Sequence, residues 1–319
     1  MTGPLAVRKL GRTDLQVTGL CVGTSPLASM PALYGYSVSE DQAIATVDAV
    51  LDSPIRFLDT SNGYGADGSA ERRIGAAVRR RGGLPADFVL ATKVDPDPMT
   101  GDFSGARVRA SFAESVERLG VEPVQLLHLH DPERIDFADA MAPGGPVEAL
   151  TALRDAGRVG YLGVAGGPVQ LMRRYLDTGV FDVLLVHNRY TLLDRSAEQL
   201  FAAAHERGIG VLNAAPYGGG LLSRGPGRTD RYVYGIAPEP VRRAAAALQR
   251  ITDAAGVPLA AAALQFSLRA PFVDSTVVGV SAPERVRETL ELASTPIDED
   301  VWAELTDAAL PPDLWLDPP

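Results

Sequence analysis

Four ionisable side chains stand at or just beyond the ends of short apolar runs, and together they could move a proton. Residues 56–65, Arg-Phe-Leu-Asp-Thr-Ser-Asn-Gly-Tyr-Gly, carry Asp59 into a polar, glycine-bearing turn, with Tyr64 five positions later. Phe-Val-Leu-Ala-Thr-Lys ends at Lys93, and Gln-Leu-Leu-His-Leu-His ends at His130. Each run reads as a buried strand. A phenol can protonate a developing alkoxide, but its ordinary pKa of about 10 is high for work near pH 7. A nearby ammonium stabilises phenolate and would lower that value. Carboxylate, phenol, ammonium and imidazole at the mouths of consecutive strands therefore describe a proton-transfer site.

Taken singly, each residue has a plainer reading. Asp59 could cap a turn, Tyr64 could be a packed loop aromatic, and Lys93 could reach solvent from a strand end. His128 and His130 are two apart and share one strand face, so one of them is a core histidine. His130 ends the run and takes the chemical place; His128 is left as packing. The ordered set of four is what points to chemistry.

The elements that must position these groups alternate. A hairpin over Val7–Leu20 turns at Gly11-Arg12-Thr13-Asp14. Strands are then expected at 20–23, 56–59, 88–93, 124–130, 159–164, 183–186, 209–213 and 276–279. Helices are expected at 40–51, 70–81, 106–119, 147–156, 170–176, 197–207, 240–255, 259–269, 283–292 and 298–310. Residues 24–37 and 215–238 read as long loops, of the kind that usually carry function. Alternation alone fits a barrel or an open sheet. A dinucleotide-binding open sheet would show G-x-G-x-x-G after its first strand, where this chain has Gly23-Thr24-Ser25-Pro26-Leu27. Chemistry spread over several strand ends favours an α/β fold of the (β/α)8 TIM-barrel class. The expectation is one domain over residues 1–319, with the N-terminal β-hairpin and extra C-terminal helices.

Composition narrows the partners. With 46% apolar and 22% charged residues, the chain of 319 residues is an ordinary globular sequence. A net charge of −10 argues against nucleic acid or an anionic membrane surface. No apolar run reaches the about 18 residues of a membrane span. The N-terminus lacks the apolar core of a secretory signal, and Cys21 is the sole cysteine, so a cytoplasmic location is expected without a disulfide framework or thiolate metal cluster. No metal site is expected.

From about Leu10 to about Leu305 the sequence resembles the aldo-keto reductase family. Asp59, Tyr64, Lys93 and His130 carry the likeness. So do Ser69-Ala70-Glu71-Arg72-Arg73-Ile74-Gly75, which is similar to the family's S-E-x-x-(I/L)-G, and Arg109–Leu119, which leads into the histidine strand. The resemblance implies hydride transfer between NADP(H) or NAD(H) and a small carbonyl or sugar substrate. Tyr64 would be the proton carrier, Lys93 its activator, Asp59 the partner of Lys93, and His130 the group that orients the substrate oxygen. It also implies a cofactor set: Thr24, Ala165, Gly166, His187, Pro216, Tyr217, Gly218, Gly219, Leu221, Gly279, Ser281, Arg285, Glu288 and Thr289. Glycines 218 to 220 would admit a pyrophosphate to backbone N–H groups, and Ser281 and Arg285 would hold a 2′-phosphate.

Ala165-Gly166 stand where many members have Ser-Asn, Ala214 where many have a stacking tyrosine, and His187 near a common glutamine. Gly279 stands where some NADP-dependent members have lysine, which leaves the choice of NAD or NADP open. Leu129–Pro132, Asn188–Asp194, Tyr232–Pro238 and Ala260–Leu268 are similar to the sugar 1-dehydrogenase branch, whose members act on L-fucose and D-threo-aldoses and oxidise a lactol to a lactone. Reduction of another aldehyde or ketone is the alternative. Two remoter readings are a Schiff-base lyase acting through Lys93 and a non-catalytic nucleotide-binding regulator.

Overall fold

The computed structural model describes residues 5–318. It opens on a hairpin in which β1 (Val7–Lys9) pairs antiparallel with β2 (Gln16–Thr18). Then follow β3 (Leu20–Gly23), α1 (Pro31–Tyr34), α2 (Glu40–Leu51), β4 (Phe57–Asp59), α3 (Ser69–Arg80), β5 (Val89–Val94), α4 (Gly105–Leu119) and β6 (Val124–His130). The middle of the chain runs α5 (Phe137–Met141), α6 (Pro146–Asp155), β7 (Val159–Gly166), α7 (Val169–Asp177), β8 (Val183–His187), α8 (Glu198–Glu206) and β9 (Gly210–Ala214). Last come α9 (Leu221–Arg224), β10 (Arg231–Tyr232), β11 (Gly235–Ile236), α10 (Glu239–Ala254), α11 (Leu259–Leu268), β12 (Ser275–Gly279), α12 (Pro283–Ser294) and α13 (Glu299–Asp307).

Eight parallel strands close into a barrel in the order β12-β3-β4-β5-β6-β7-β8-β9. The expected (β/α)8 architecture is the one found. Strand alternation decides which side chains reach its interior. On β6, Leu126 packs with Phe57, Ala91, Val183 and Leu212 inside the barrel, whereas Leu127 and Leu129 pack outward with Phe112 and Leu150 of the helical layer. The same parity turns His128 and His130 inward. It turns Asp59 inward two residues after Phe57, and Lys93 two residues after Ala91.

The helices cover the outward faces for ordinary reasons. On α4, Val108, Phe112, Ser115 and Leu119 recur at helical spacing and are buried, Ser104 caps the start, and Gly120 ends the helix in a left-handed conformation. The hairpin closes the N-terminal end of the barrel. Arg12 N–H donates to the Gly208 carbonyl at 2.6 Å, and the Arg12 side chain meets Asp182 at 3.1 Å, just before β9 and β8 begin. The C-terminal ends of the strands remain for chemistry.

The long segment 215–238 is more ordered than expected, holding a tight turn at Gly218–Gly220, α9, and the β10–β11 hairpin. Segment 24–37 likewise contains a short 3-10 turn, Ser25–Ala28, and α1, each begun by a proline near its first position. The short α5 has no counterpart in the sequence reading. Among the described residues no single helix is long and apolar enough to cross a membrane.

Candidate active site

The turn after β4 is laid along β5 by two backbone bonds, Thr60 N–H to the Ala91 carbonyl and Asn62 N–H to the Lys93 carbonyl. That places Tyr64 over the end of β5. The Lys93 ammonium donates to Asp59 Oδ1 at 2.5 Å, to the Thr60 carbonyl at 2.7 Å and to the Tyr64 hydroxyl at 3.2 Å. Three N–H groups meet three acceptors, so the ammonium is fully engaged. Lys93 and Asp59 are 1% and 2% exposed. The His130 ring meets the Tyr64 ring edge to face, with centroids 5.6 Å apart. All four sequence-predicted residues therefore converge.

A fifth residue belongs here that sequence reasoning passed over. Asp95 lies two positions beyond Lys93, and its carboxylate accepts from His130 Nδ1 at 2.6 Å, from Gly63 N–H at 2.8 Å and from the Ser61 hydroxyl. The signal available was its parity with Lys93 on the same run. His128 is fully buried with neither ring nitrogen partnered. Its space is made by Gly163 on β7, where a Cβ would stand 2.1 Å from His128 Nδ1.

Electrostatics sort these groups. Burial raises the pKa of Tyr64 well above the ordinary phenol value, and Asp59, Tyr34, Asp95 and Tyr234 push the same way. In this form of the site burial, joined by Asp59, raises the phenol although the Lys93 ammonium lies 3.2 Å from its hydroxyl. The phenol is held protonated. Burial raises Asp59, and the charge and hydrogen bond of Lys93 pull it back. Burial also raises Asp95, but the charge and hydrogen bond of His130, helped by Ser61 and Gly63, bring it down to about 2. For His130, burial is outweighed by Asp95 and Asp131, and its pKa rises. His187, at the end of β8, is lowered to about 4, chiefly by burial. It is neutral near pH 7, and its Nδ1 lies 3.1 Å from Asn188 Nδ2.

A model of the Aldo/keto reductase family matches residues 19–309. The chain belongs to that family. It is 35% identical over 303 residues, 86% of this chain and 90% of the relative, to a D-threo-aldose 1-dehydrogenase of Pseudomonas sp. A pyridoxal 4-dehydrogenase of Microbacterium luteolum is 33% identical over 340 residues, covering 95% of this chain and 97% of the relative. An L-galactose dehydrogenase of Arabidopsis thaliana is 32% identical over 309 residues, covering 94% and 93%. The solved holo form of the aldo-keto reductase AKR11C1 from Bacillus halodurans superposes with a TM-score of 0.77 at 26% identity, over 95% of this chain and 96% of that one. This aldo-keto reductase is accordingly an NAD(P)-dependent oxidoreductase.

The residues expected at the cofactor fall in two groups. One lines the barrel mouth. Ala165 sits beside His130 in the β6–β7 register, and Ala214 beside His187 in the β8–β9 register. Their small side chains leave room beside the reacting groups. Gly166 has no space for a side chain, since a Cβ there would stand 2.9 Å from both Met172 Sδ and Pro132 Cδ. Thr24 is fully buried, and its hydroxyl is committed to the Asp59 carbonyl at 3.0 Å.

The second group lies on the loops after β9 and β12, the seventh and eighth barrel strands, which are paired neighbours. Gly218, Gly219 and Gly220 have φ of 55°, 72° and 103°, a left-handed run open to glycine and costly for other residues. Pro216 and Leu221 are buried, and Tyr217 lies close enough to Arg285 for that charge to pull against the burial that raises its phenol. Gly279 and Arg285 are exposed, and Ser281 is partly so. Arg285 donates to Glu288 at 2.6 Å, and the Thr289 hydroxyl donates to the Arg285 carbonyl at 2.7 Å. A glycine turn on one of two neighbouring loops and an arginine at a helix start on the other suit the phosphates of a dinucleotide.

Proposed function

We propose that Tyr64 carries the proton in this oxidoreductase and that its substrate is a free sugar oxidised at C1, lactol to lactone. The observation that carries the first part is the Tyr64 hydroxyl 3.2 Å from the Lys93 ammonium, itself held by Asp59. Bound NAD(P) would supply or accept the hydride at the reacting carbon. In the reducing direction the protonated phenol gives its proton to the developing alkoxide, and His130 steadies the same oxygen as a hydrogen-bond donor. In the oxidising direction Tyr64 must act as phenolate, which Lys93 stabilises. Since burial holds the phenol high, oxidation is favoured by alkaline conditions and reduction tolerates neutral ones.

The sugar assignment is supported by the wall beside His130. Asp131, Glu133 and His187 present polar atoms within 4.8 Å of one another, acceptors suited to several hydroxyl groups at once. The names of two relatives point the same way. Reduction of a different aldehyde or ketone remains the second reading, because the same four groups serve it. A lyase using Lys93 is disfavoured by an amine engaged with three acceptors. Residues 1–319 act as one domain in the cytoplasm on a small-molecule substrate, without nucleic acid or membrane. The cofactor is NADP(H) or NAD(H), and Ser281 and Arg285 are placed to hold the 2′-phosphate of NADP(H). The test is NAD(P)H absorbance with a panel of free sugars, aldehydes and ketones, in both directions and with each cofactor. Lactone formation from aldoses supports the sugar reading; turnover of simple aldehydes alone replaces it.

A further inference from the structure

We infer that Asp95 is a positioning residue for this reaction: its carboxylate holds His130 by Nδ1 and fixes the loop that bears Tyr64. The inference rests on the proposed proton-transfer reading of the site. Its basis is one carboxylate shared by two elements besides its own. Oδ1 takes the His130 bond from β6, and Oδ2 takes Gly63 N–H and the Ser61 hydroxyl from the loop after β4. Tyr64 is the next residue after Gly63. The backbone of Asp95 is itself anchored from outside the barrel, donating to Ser111 Oγ at 3.1 Å and accepting from Arg107 Nε at 3.3 Å. Asp95 is 7% exposed.

Gly63 shows that this approach is specific. A Cβ there would stand 2.7 Å from Asp95 Cγ and 2.8 Å from Oδ1. Its φ lies outside the left-handed range, so the backbone conformation does not require glycine. The room is needed by the carboxylate.

The consequence falls on His130. With Nδ1–H committed to Asp95, Nε2 is the nitrogen left for a substrate oxygen, and an imidazolium makes it a donor. Other charges face the ring. On β5, Lys93 opposes protonation; on β4, Asp59 is paired with Lys93. Beyond His130, Asp131 stands 3.6 Å from Nε2 and shares its charge with Arg134 at 3.2 Å, while Glu133 is held up by burial. His128 and His187 have pKa values pushed below the ordinary range and add little positive charge near pH 7. Among the described residues Asp95 is the one carboxylate within hydrogen-bond distance of the ring.

The test is 15N NMR of histidine side chains in the enzyme with NADP(H) bound, assigned with His130→Asn, alongside pH–rate profiles. In wild type, Nδ1 of His130 should stay protonated and the ring should titrate above the ordinary histidine value. In Asp95→Asn that titration should move down, the matching limb of kcat should move to lower pH, and kcat should fall at least about tenfold with little change in KM. In a His130→Asn background, Asp95→Asn should cost clearly less kcat than in wild type, the part that remains reporting the loop that bears Tyr64. An unchanged His130 titration, or a full loss of kcat that persists without His130, overturns the inference. If Asp95→Asn does not fold, the wild-type titration decides alone, and a value at or below the ordinary one overturns it. Because that readout needs no turnover, failure of the Tyr64 mechanism would appear separately, as hydride transfer indifferent to Tyr64→Phe.

Discussion

Replacing Asp59 with asparagine keeps the shape of the side chain and removes its charge. Asp59 and Lys93 are 2% and 1% exposed and lie 2.5 Å apart, so neither has water to fall back on. The variant leaves Lys93 with the Thr60 carbonyl at 2.7 Å and the Tyr64 hydroxyl at 3.2 Å, and without its carboxylate. Breaking a buried pair from one side typically costs about 3–5 kcal/mol. Two neutral acceptors soften the loss, which places the expected cost near the lower end, about 3 kcal/mol. Urea unfolding of the cofactor-free protein measures it, with the m-value as a check that the unfolding transition is otherwise unchanged. The double variant Asp59→Asn/Lys93→Met removes both charges and should recover most of the stability. A single variant within about 0.5 kcal/mol of wild type would refute the ion-pair argument, because an ammonium so deeply buried cannot lose its counter-charge without cost.

Three further outcomes follow from particular residues. Arg285→Ala should weaken NADP(H) binding more than NAD(H) binding by fluorescence titration; equal loss, or none, removes Arg285 from the 2′-phosphate. Asp95 is held at about 2, below the ordinary 3.8, so it contributes stability that is present above about pH 4 and lost as pH falls toward 2. That difference corresponds to about 2 kcal/mol, and Asp95→Asn should flatten this part of an acid-denaturation profile; an unchanged acid limb contradicts the assignment. Gly163→Ala drives a methyl into His128 and should cost about 1–3 kcal/mol by thermal or urea unfolding, a loss that His128→Ala should relieve; a neutral effect would mean the His128 ring has room to move.

Much of the site could be read from residues, because two local rules acted together. Period-two alternation in short apolar runs turned Asp59, Lys93 and His130 to one side, and parallel strands brought their ends into one ring. Tyr64 followed from its distance to Asp59. Asp95 obeys the same alternation, but it lies just past the strand lysine and reads as the first residue of a polar loop. Only the spatial approach of Gly63 and His130 reveals its contacts. The raised pKa of Tyr64 is not legible for a related reason: spacing reveals a neighbouring lysine, whereas the depth of burial and two nearby carboxylates come from packing. The β10–β11 hairpin within 215–238 was hidden because two-residue strands carry no period, and α5, five residues long, is too short to show one.

In the proposed reaction the Tyr64 hydroxyl carries the proton. Tyr64→Phe retains the ring and its contact with His130, so cofactor affinity and thermal stability should change little. Single-turnover hydride transfer, with bound cofactor confirmed by fluorescence, is the direct measurement. The account predicts a loss of at least about 10²-fold, the lower bound of what a general acid–base group contributes, together with disappearance of the pH-dependent limb due to the phenol. Hydride transfer within a few-fold of wild type would contradict it and move the search for the proton donor to His130.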